Sequence, residues 1–212
     1  RRQRQMCIRD RDKSVTYIYD IFSKKLTEVA PFTVDLLLPS GAENLNYVLY
    51  TDESPYKMQR EWLDRLPFDI YSVNVHTGAK RLIGRSYRTA PKWSVNGKWA
   101  VMYDPIAQVW NKFDGATGKV VNISDAIGYP MFMESYDKPA PAPAYGIAGW
   151  TADGNNVFLY DAYDWWKIDL TGERQPECLT KGYGRKHGKS IRKMTSNIDK
   201  DVFQKDEKVI VS

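Results

Sequence analysis

The stretch Lys92-Trp-Ser-Val-Asn-Gly-Lys-Trp-Ala-Val-Met-Tyr-Asp104 returns later in the chain as Gly149-Trp-Thr-Ala-Asp-Gly-Asn-Asn-Val-Phe-Leu-Tyr-Asp161. Trp93 and Trp150, Gly97 and Gly154, Tyr103 and Tyr160, and Asp104 and Asp161 are each 57 residues apart. A register held over four positions marks an internal repeat, and a repeat constrains the fold more than any local propensity. In both copies Asn-Gly or Asp-Gly supplies a hairpin turn, because these residues tolerate positive φ. The apolar run that follows reads as a strand.

Working outward, each copy continues into a second hairpin. Gln108 to Asp114, closed by Ala116-Thr-Gly118, parallels Asp164 to Asp169, closed by Leu170-Thr-Gly172. The same grammar appears in Asp69 to Gly78 and, more faintly, from Val15 through Asp20 to Leu26. Anchored on Asp20, Asn74, Asp114 and Asp169, the four copies are separated by 54, 40 and 55 residues. That spacing, with short strands and no long capped amphipathic helix, predicts an all-β fold: a partial β-propeller of about four blades, each of four antiparallel strands. A β-sandwich also has short, evenly spaced strands, but it does not predict recurring Trp-x-x-x-Gly and Thr-Gly signatures. The expected organisation is a single incomplete propeller domain over 1–212, with blade-like repeats at about 15–50, 51–89, 90–135 and 145–182. The segment 183–212, with Met194, Ile198, Val202 and Val209-Ile-Val211, is expected to start a fifth blade.

Two insertions interrupt the repeats. Asp52 to Pro67, with Met58, Trp62, Leu63 and Leu66 at roughly helical spacing, reads as one short helix or a wide hairpin. Asp137 to Gly146 holds alternating prolines, which fix φ and remove ladder donors, and it is expected to be an extended connector.

Composition bounds the function. The chain has 212 residues, 42% hydrophobic and 13% aromatic, enough for a packed core. No run approaches the roughly 18 apolar residues of a membrane span. Arg1-Arg-Gln-Arg-Gln5 carries neither an initiator Met nor the apolar stretch of a signal peptide, so the sequence is expected to be a segment of something longer. Cys7 and Cys178 have no metal-like spacing. The net charge of +5 comes largely from Arg1 to Lys13 and Lys181 to Lys193. These runs read as solvated surface, and the aromatics fall in core-like patterns away from them. Neither nucleic acid nor membrane is expected as a partner, and no cofactor or metal.

The stretch Gly182-Tyr-Gly-Arg-Lys-His-Gly-Lys-Ser190 is a near miss for a phosphate-binding loop, because Tyr183 stands where the first glycine is required. Such a loop must also follow a parallel strand and open a helix. Ile191, Met194, Ile198 and Val202 would fit one helical face, but the hydrophobic runs ending in aspartate, at Asp104 and Asp161, precede the loop. It is expected to be a basic, flexible crossover. Asp104, Asp153, Asp161 and Asp169 recur at strand ends and turns, where a carboxylate bonds local backbone N–H groups, so they are given structural roles.

From Tyr136 to Arg185 the sequence carries Asp137-Lys-Pro139, Tyr145-Gly-Ile-Ala-Gly-Trp150, Tyr160-Asp-Ala-Tyr-Asp-Trp-Trp-Lys167, Leu179-Thr180 and Gly184-Arg185 in that order. In this it resembles the propeller of bacterial, Bacteroidetes-type serine peptidases of the prolyl oligopeptidase and dipeptidyl peptidase IV family. The resemblance covers about a quarter of the chain and implies a propeller that gates and orients peptide substrates for a separate hydrolase domain of the parent chain. A periplasmic or secreted location is likewise implied by the resemblance alone. No Gly-x-Ser-x-Gly elbow occurs in the sequence. His76 and His187 lack the context of a triad, so no catalytic residue is assigned. Glu61, in the insertion, is the one candidate for holding a substrate's ammonium group. The alternative is a non-catalytic propeller scaffold or periplasmic translocation-type module that binds a protein partner. In either case open strand edges favour self-association.

Overall fold

A computed structural model describes residues 15–30, 35–37, 46–63, 65–194 and 201–212. Cys7 and Ile198 lie outside the described residues. The chain divides into two compact units, Arg1–Leu38 with Leu45–Arg88, and Pro39–Asn44 with Thr89–Ser212.

In the first unit, β1 (Thr16–Asp20) pairs antiparallel with β2 (Lys25–Ala30) as a two-stranded sheet. Four further strands, β3 (Asp35–Leu37), β4 (Tyr47–Asp52), β5 (Phe68–Asn74) and β6 (Lys80–Tyr87), form an antiparallel sheet in chain order. Val29 and Ala30 of β2 pack with Val48 and Tyr50 of β4 and Val73 of β5, so the two sheets stack face to face. In the second unit, β7 (Lys92–Trp93), β8 (Trp99–Asp104), β9 (Val109–Asp114) and β10 (Val120–Asn122) form one meander. β11 (Ile147–Thr151), β12 (Asn156–Tyr160), β13 (Trp165–Asp169) and β14 (Glu177–Cys178) form the next. Their facing sides meet in a core of Val101, Tyr103, Trp110, Trp150, Leu159 and Ile168, among others.

The four-stranded, up-and-down sheets are the blades of a partial propeller, and the fold is all-β. Burial follows the order of strands. The second strands, β4, β8 and β12, have four consecutive buried residues each. Of the fourth strands, β10 and β14 have none and β6 has only Tyr87.

The repeat boundaries shift once the turns are seen. Asp20, Asn74, Asp114 and Asp169 each end the strand that precedes an outer strand, and their carboxylate or carboxamide oxygens accept backbone N–H groups from the turn. These anchors therefore mark the hairpin between third and fourth strands. The boundary expected at residues 50 and 51 falls inside β4, and the sheet it was meant to divide runs from Asp35 to Tyr87.

The insertion after β4 is a 3₁₀ helix, Ser54–Glu61, opened by Pro55. Met58 and Trp62 are exposed and Leu66 is buried, so its helical spacing does not build a core face. The proline segment is irregular and doubles back, with Met133 N–H donating to Pro143 O at 2.8 Å and Phe132 bridging Ala144. No helix among the described residues is long and apolar enough to cross a membrane.

Beyond the fourth blade, β15 (Val202–Phe203) adds parallel to β11. Lys193 and Val211 form a separate antiparallel bridge. The start of a fifth blade thus takes the form of short strands tied back to the fourth sheet. Gly149 makes this possible. Its φ is +154°, and a Cβ there would lie 2.5 Å from the Phe203 ring and 2.7 Å from Asp201 O.

Candidate functional site

The turn after β12 holds two buried carboxylates, Asp161 and Asp164, exposed 0% and 1%. Asp161 Oδ1 accepts the N–H groups of Tyr163 and Asp164 at 2.7 and 2.6 Å. Its Oδ2 accepts Trp166 Nε1–H and Arg185 Nη2–H, both at 3.0 Å. Burial pushes the Asp161 carboxyl up, but the hydrogen bonds from the Asp164 N–H, the Trp166 indole, the Tyr163 N–H and Arg185 outweigh it and hold the group below the ordinary carboxylate range.

Asp164 faces the other way. Its Oδ1 accepts the Thr180 hydroxyl at 2.6 Å and the Gly184 N–H at 2.9 Å, and its Oδ2 accepts the Arg185 N–H at 3.1 Å. Gly184 and Arg185 open a five-residue helix, α1 (Tyr183–His187), whose flanking glycines, Gly182 and Gly188, both adopt positive φ. Orphan N–H groups at a helix start need an acceptor, and Asp164 supplies it from 20 residues away in sequence. Gly184 is required by space. A Cβ there would sit 2.6 Å from Tyr163 O and 2.7 Å from Lys189 O.

The stretch expected to be a flexible crossover is therefore a short helix pinned to the blade. The Gly-Lys-Ser of the phosphate-loop resemblance follows that helix instead of opening it, and the preceding strand β14 is an antiparallel edge strand. Both features are the reverse of what phosphate binding needs.

Arg185 completes the cluster. Its guanidinium lies 3.9 Å over the Tyr129 ring and 5.1 Å from that of Tyr163. Arg192, half-buried, donates to the carbonyls of Asp161 at 2.7 Å and Ala162 at 3.2 Å and lies 4.6 Å from the Tyr160 ring. Burial lowers the Arg192 pKa, with the Tyr160 and Asp161 charges opposing it. Beside Arg185 is a cavity of about 460 Å³ between Tyr129, Trp166, Cys178, Gly182 and Lys186. Every oxygen of the two carboxylates already accepts a hydrogen bond, and Asp161 stays ionised at neutral pH. The arrangement fixes geometry and offers an aromatic wall beside a cationic rim; it is not arranged for general acid catalysis.

The residues singled out in the sequence fall apart in two ways. Asp104, Asp153 and Asp169 serve turns: Asp104 Oδ1 accepts Ile106 N–H at 2.9 Å, Asp153 Oδ1 accepts Asn155 N–H at 2.9 Å, and Asp169 Oδ1 accepts Thr171 N–H at 2.9 Å. Asp161 does this too but also reaches Arg185, which its strand-end position did not reveal. Glu61 is exposed at the end of the 3₁₀ helix in the first unit. His76 is an exposed turn residue whose Nε2 lies 3.2 Å from Asn46 Oδ1, and His187 stacks on Tyr183 with ring centroids 4.1 Å apart. Tyr129 gave no sequence signal. Among the described residues no three His, Cys, Asp or Glu side chains are grouped as a metal site would need.

No protein family and no curated protein matches the chain. Among solved structures, similarity is found to the complex of KlAtg21 with the coiled-coil of AgAtg16, with 12% identity, a TM-score of 0.39, and coverage of 75% of this chain and 48% of that one. TolB from Acinetobacter baumannii matches at 14% identity and a TM-score of 0.30, over 77% of this chain and 48% of that one. The β-propeller domain of the Trilobed protease from Pyrococcus furiosus matches at 15% identity and a TM-score of 0.34, over 69% and 43%. The chain spans about half the length of each of these.

Proposed function

We propose that the chain is the propeller portion of a prolyl oligopeptidase-family serine peptidase, which gates and orients peptides for a hydrolase domain elsewhere in the polypeptide. One observation carries the reading: residues from three of the five motif stretches that suggested the family are partners. Asp161 and Asp164 of Tyr160–Lys167, Thr180 of Leu179-Thr180, and Gly184-Arg185 are joined by hydrogen bonds of 2.6 to 3.1 Å. Motifs spread over 26 residues thus act as a single device that docks the segment following β14. Glu61, exposed on the insertion, is the proposed contact for a substrate's ammonium.

The test uses the product of the complete open reading frame. It should contain a Gly-x-Ser-x-Gly segment after the propeller, react with a fluorophosphonate probe, and cleave proline-containing peptides. Glu61→Gln should raise KM for peptides with a free N-terminus and leave N-blocked peptides unaffected. A complete polypeptide with no such segment and no labelling sinks the peptidase reading and leaves a binding scaffold.

A further inference from the structure

Three segments of the second unit converge on the cavity beside Arg185. Tyr129 arrives from the 3₁₀ turn after β10, where Gly128 adopts a φ of +72°. Trp166 of β13 and Cys178 of β14 are directly paired, so their side chains stand next to each other on one face of the sheet. Arg185 and Lys186 come from α1, which Asp164 pins in place. The volume, about 460 Å³, falls within the range of small-molecule sites, about 300–1,000 Å³.

The wall is aromatic. Trp166 is 9% exposed, and its ring lies 6.0 Å from that of Tyr129 at an interplanar angle of 44°. The rim is cationic and short of acceptors. Arg185 gives Nη2–H to Asp161 at 3.0 Å, but among the described residues its buried Nε–H has no acceptor and Nη1 has none either. Stacking on Tyr129 at 3.9 Å uses a face of the guanidinium and not the edge that hydrogen-bonds. Lys186 is exposed and makes no ion pair among the described residues. The acid among the lining residues, Asp164, is 1% exposed, and both of its oxygens already accept hydrogen bonds.

We propose that this cavity binds an organic carboxylate carried on an apolar or aromatic body, the chemistry shared by a peptide's C-terminal residue and by free aromatic acids. The Arg185 edge and Lys186 take the carboxylate, and Tyr129 and Trp166 take the body. Inorganic phosphate fits less well, because the α1 amides that would hold it, those of Gly184 and Arg185, are occupied by Asp164. A quaternary ammonium would suit the two rings, but Arg185 and Lys186 at the rim repel it. Glu61 lies in the first unit and is proposed for the opposite charge, so this site stands or falls separately from the peptidase reading.

Equilibrium dialysis of N-acetylphenylalanine against the 212-residue chain should give a Kd of about 0.1–1 mM. N-acetylphenylalaninamide, which lacks the charge, should bind roughly tenfold more weakly. Cys178 marks the place. At about ten times the Kd the acid should slow its alkylation by iodoacetamide roughly tenfold. Read on the tryptic peptide Gln175–Lys181, this signal excludes Cys7. Lys186→Gln, at an exposed position, should raise the Kd about threefold and flatten its dependence on salt. Arg185→Lys, which keeps the charge and loses the planar fork, should raise it about tenfold. A tetrapeptide ending in phenylalanine that binds more tightly than the acetylated amino acid assigns the site to polypeptide C-termini, and equal affinity assigns it to free acids. The proposal is overturned by acid and amide binding alike, by no binding at about 10 mM, or by binding without protection of Cys178. Tighter binding of inorganic phosphate or choline, or a Kd unmoved by Lys186→Gln, overturns it as well.

Discussion

Asn96 Nδ2 donates to the backbone carbonyl of Asp153 at 2.8 Å, which joins a turn to its own counterpart 57 residues later. Asn96 Oδ1 meanwhile accepts the Lys98 N–H and the Ser94 hydroxyl. The side chain thus shapes its own hairpin and clasps the next blade. Gly154 lies beneath it, where a Cβ would come within 2.7 Å of the Asn96 backbone N and side-chain Cγ.

Gly154→Ala should therefore cost more than its φ of +68° alone demands, about 2–3 kcal/mol in denaturant unfolding. Gly172, at +85° with only Lys112 Nζ within 4 Å, at 3.7 Å, is the control, and Gly172→Ala should cost about 1 kcal/mol. Adding Asn96→Ala to Gly154→Ala should recover part of the difference, so that the two changes are less than additive.

Asp161→Ala should destabilise by about 3–5 kcal/mol, since it leaves Arg185 and the Trp166 indole without their acceptor in a buried setting. Arg185→Leu should cost less, about 1–2 kcal/mol, because Asp161 keeps its backbone and indole donors. Equal effects of the two in urea titrations would refute this asymmetry.

Acid should unfold the second unit through the same group. Because the folded-state pKa of Asp161 lies below its unfolded value near 3.8, its contribution is fully present above that value. It is lost as pH falls through the folded pKa. Asp153 and Asp169 are depressed in the same direction. Stability measured from pH 7 downward should hold and then drop below about pH 4, and Asp161→Asn should flatten part of that drop.

Trp110 and Trp166 offer a matched pair. Both indoles are buried, but Trp166 Nε1 donates to Asp161 whereas Trp110 Nε1 has no partner among the described residues. Trp166→Phe should cost about 1–2 kcal/mol more than Trp110→Phe, which removes a buried donor that nothing satisfies.

Gly149→Ala should peel β15 from β11 without unfolding the blade, because the added methyl meets Phe203 and Asp201 O. The Trp150 and Ala152 amides, which donate to Asp201 O and Phe203 O, should exchange faster, while those of β12 and β13 keep their protection.

The blades were legible because their signals are local. Asn-Gly and Thr-Gly turns, apolar second strands and turn-anchoring aspartates each act within a few residues, and period detection then multiplied them. The blade boundary near residue 50 was misplaced because the anchors repeat at the third strand, and a period alone does not say where a repeat begins. Asp164 as a helix cap was hidden for a different reason. Its partners at Thr180, Gly184 and Arg185 come together only when the outer strand has folded back. Tyr129 was hidden as well, since stacking on a guanidinium requires no particular neighbours in sequence.

The Asn96 clasp also sets how the molecule ages. Asn-Gly pairs deamidate when the glycine nitrogen attacks the side-chain carbonyl carbon, and such residues limit the working life of proteins at high temperature. Here the Gly97 N–H is engaged by Ser94 O at 2.8 Å and the carboxamide is tied down at both ends, so the folded chain resists the ring closure. Once the hairpin opens, that restraint is gone. A carboxylate formed at residue 96 would return to face the Asp153 carbonyl oxygen and Asn155 Oδ1 with no proton to offer either. Each unfolding excursion therefore carries a chance of chemical damage at a turn that joins two blades, and storage lifetime should track folding stability there.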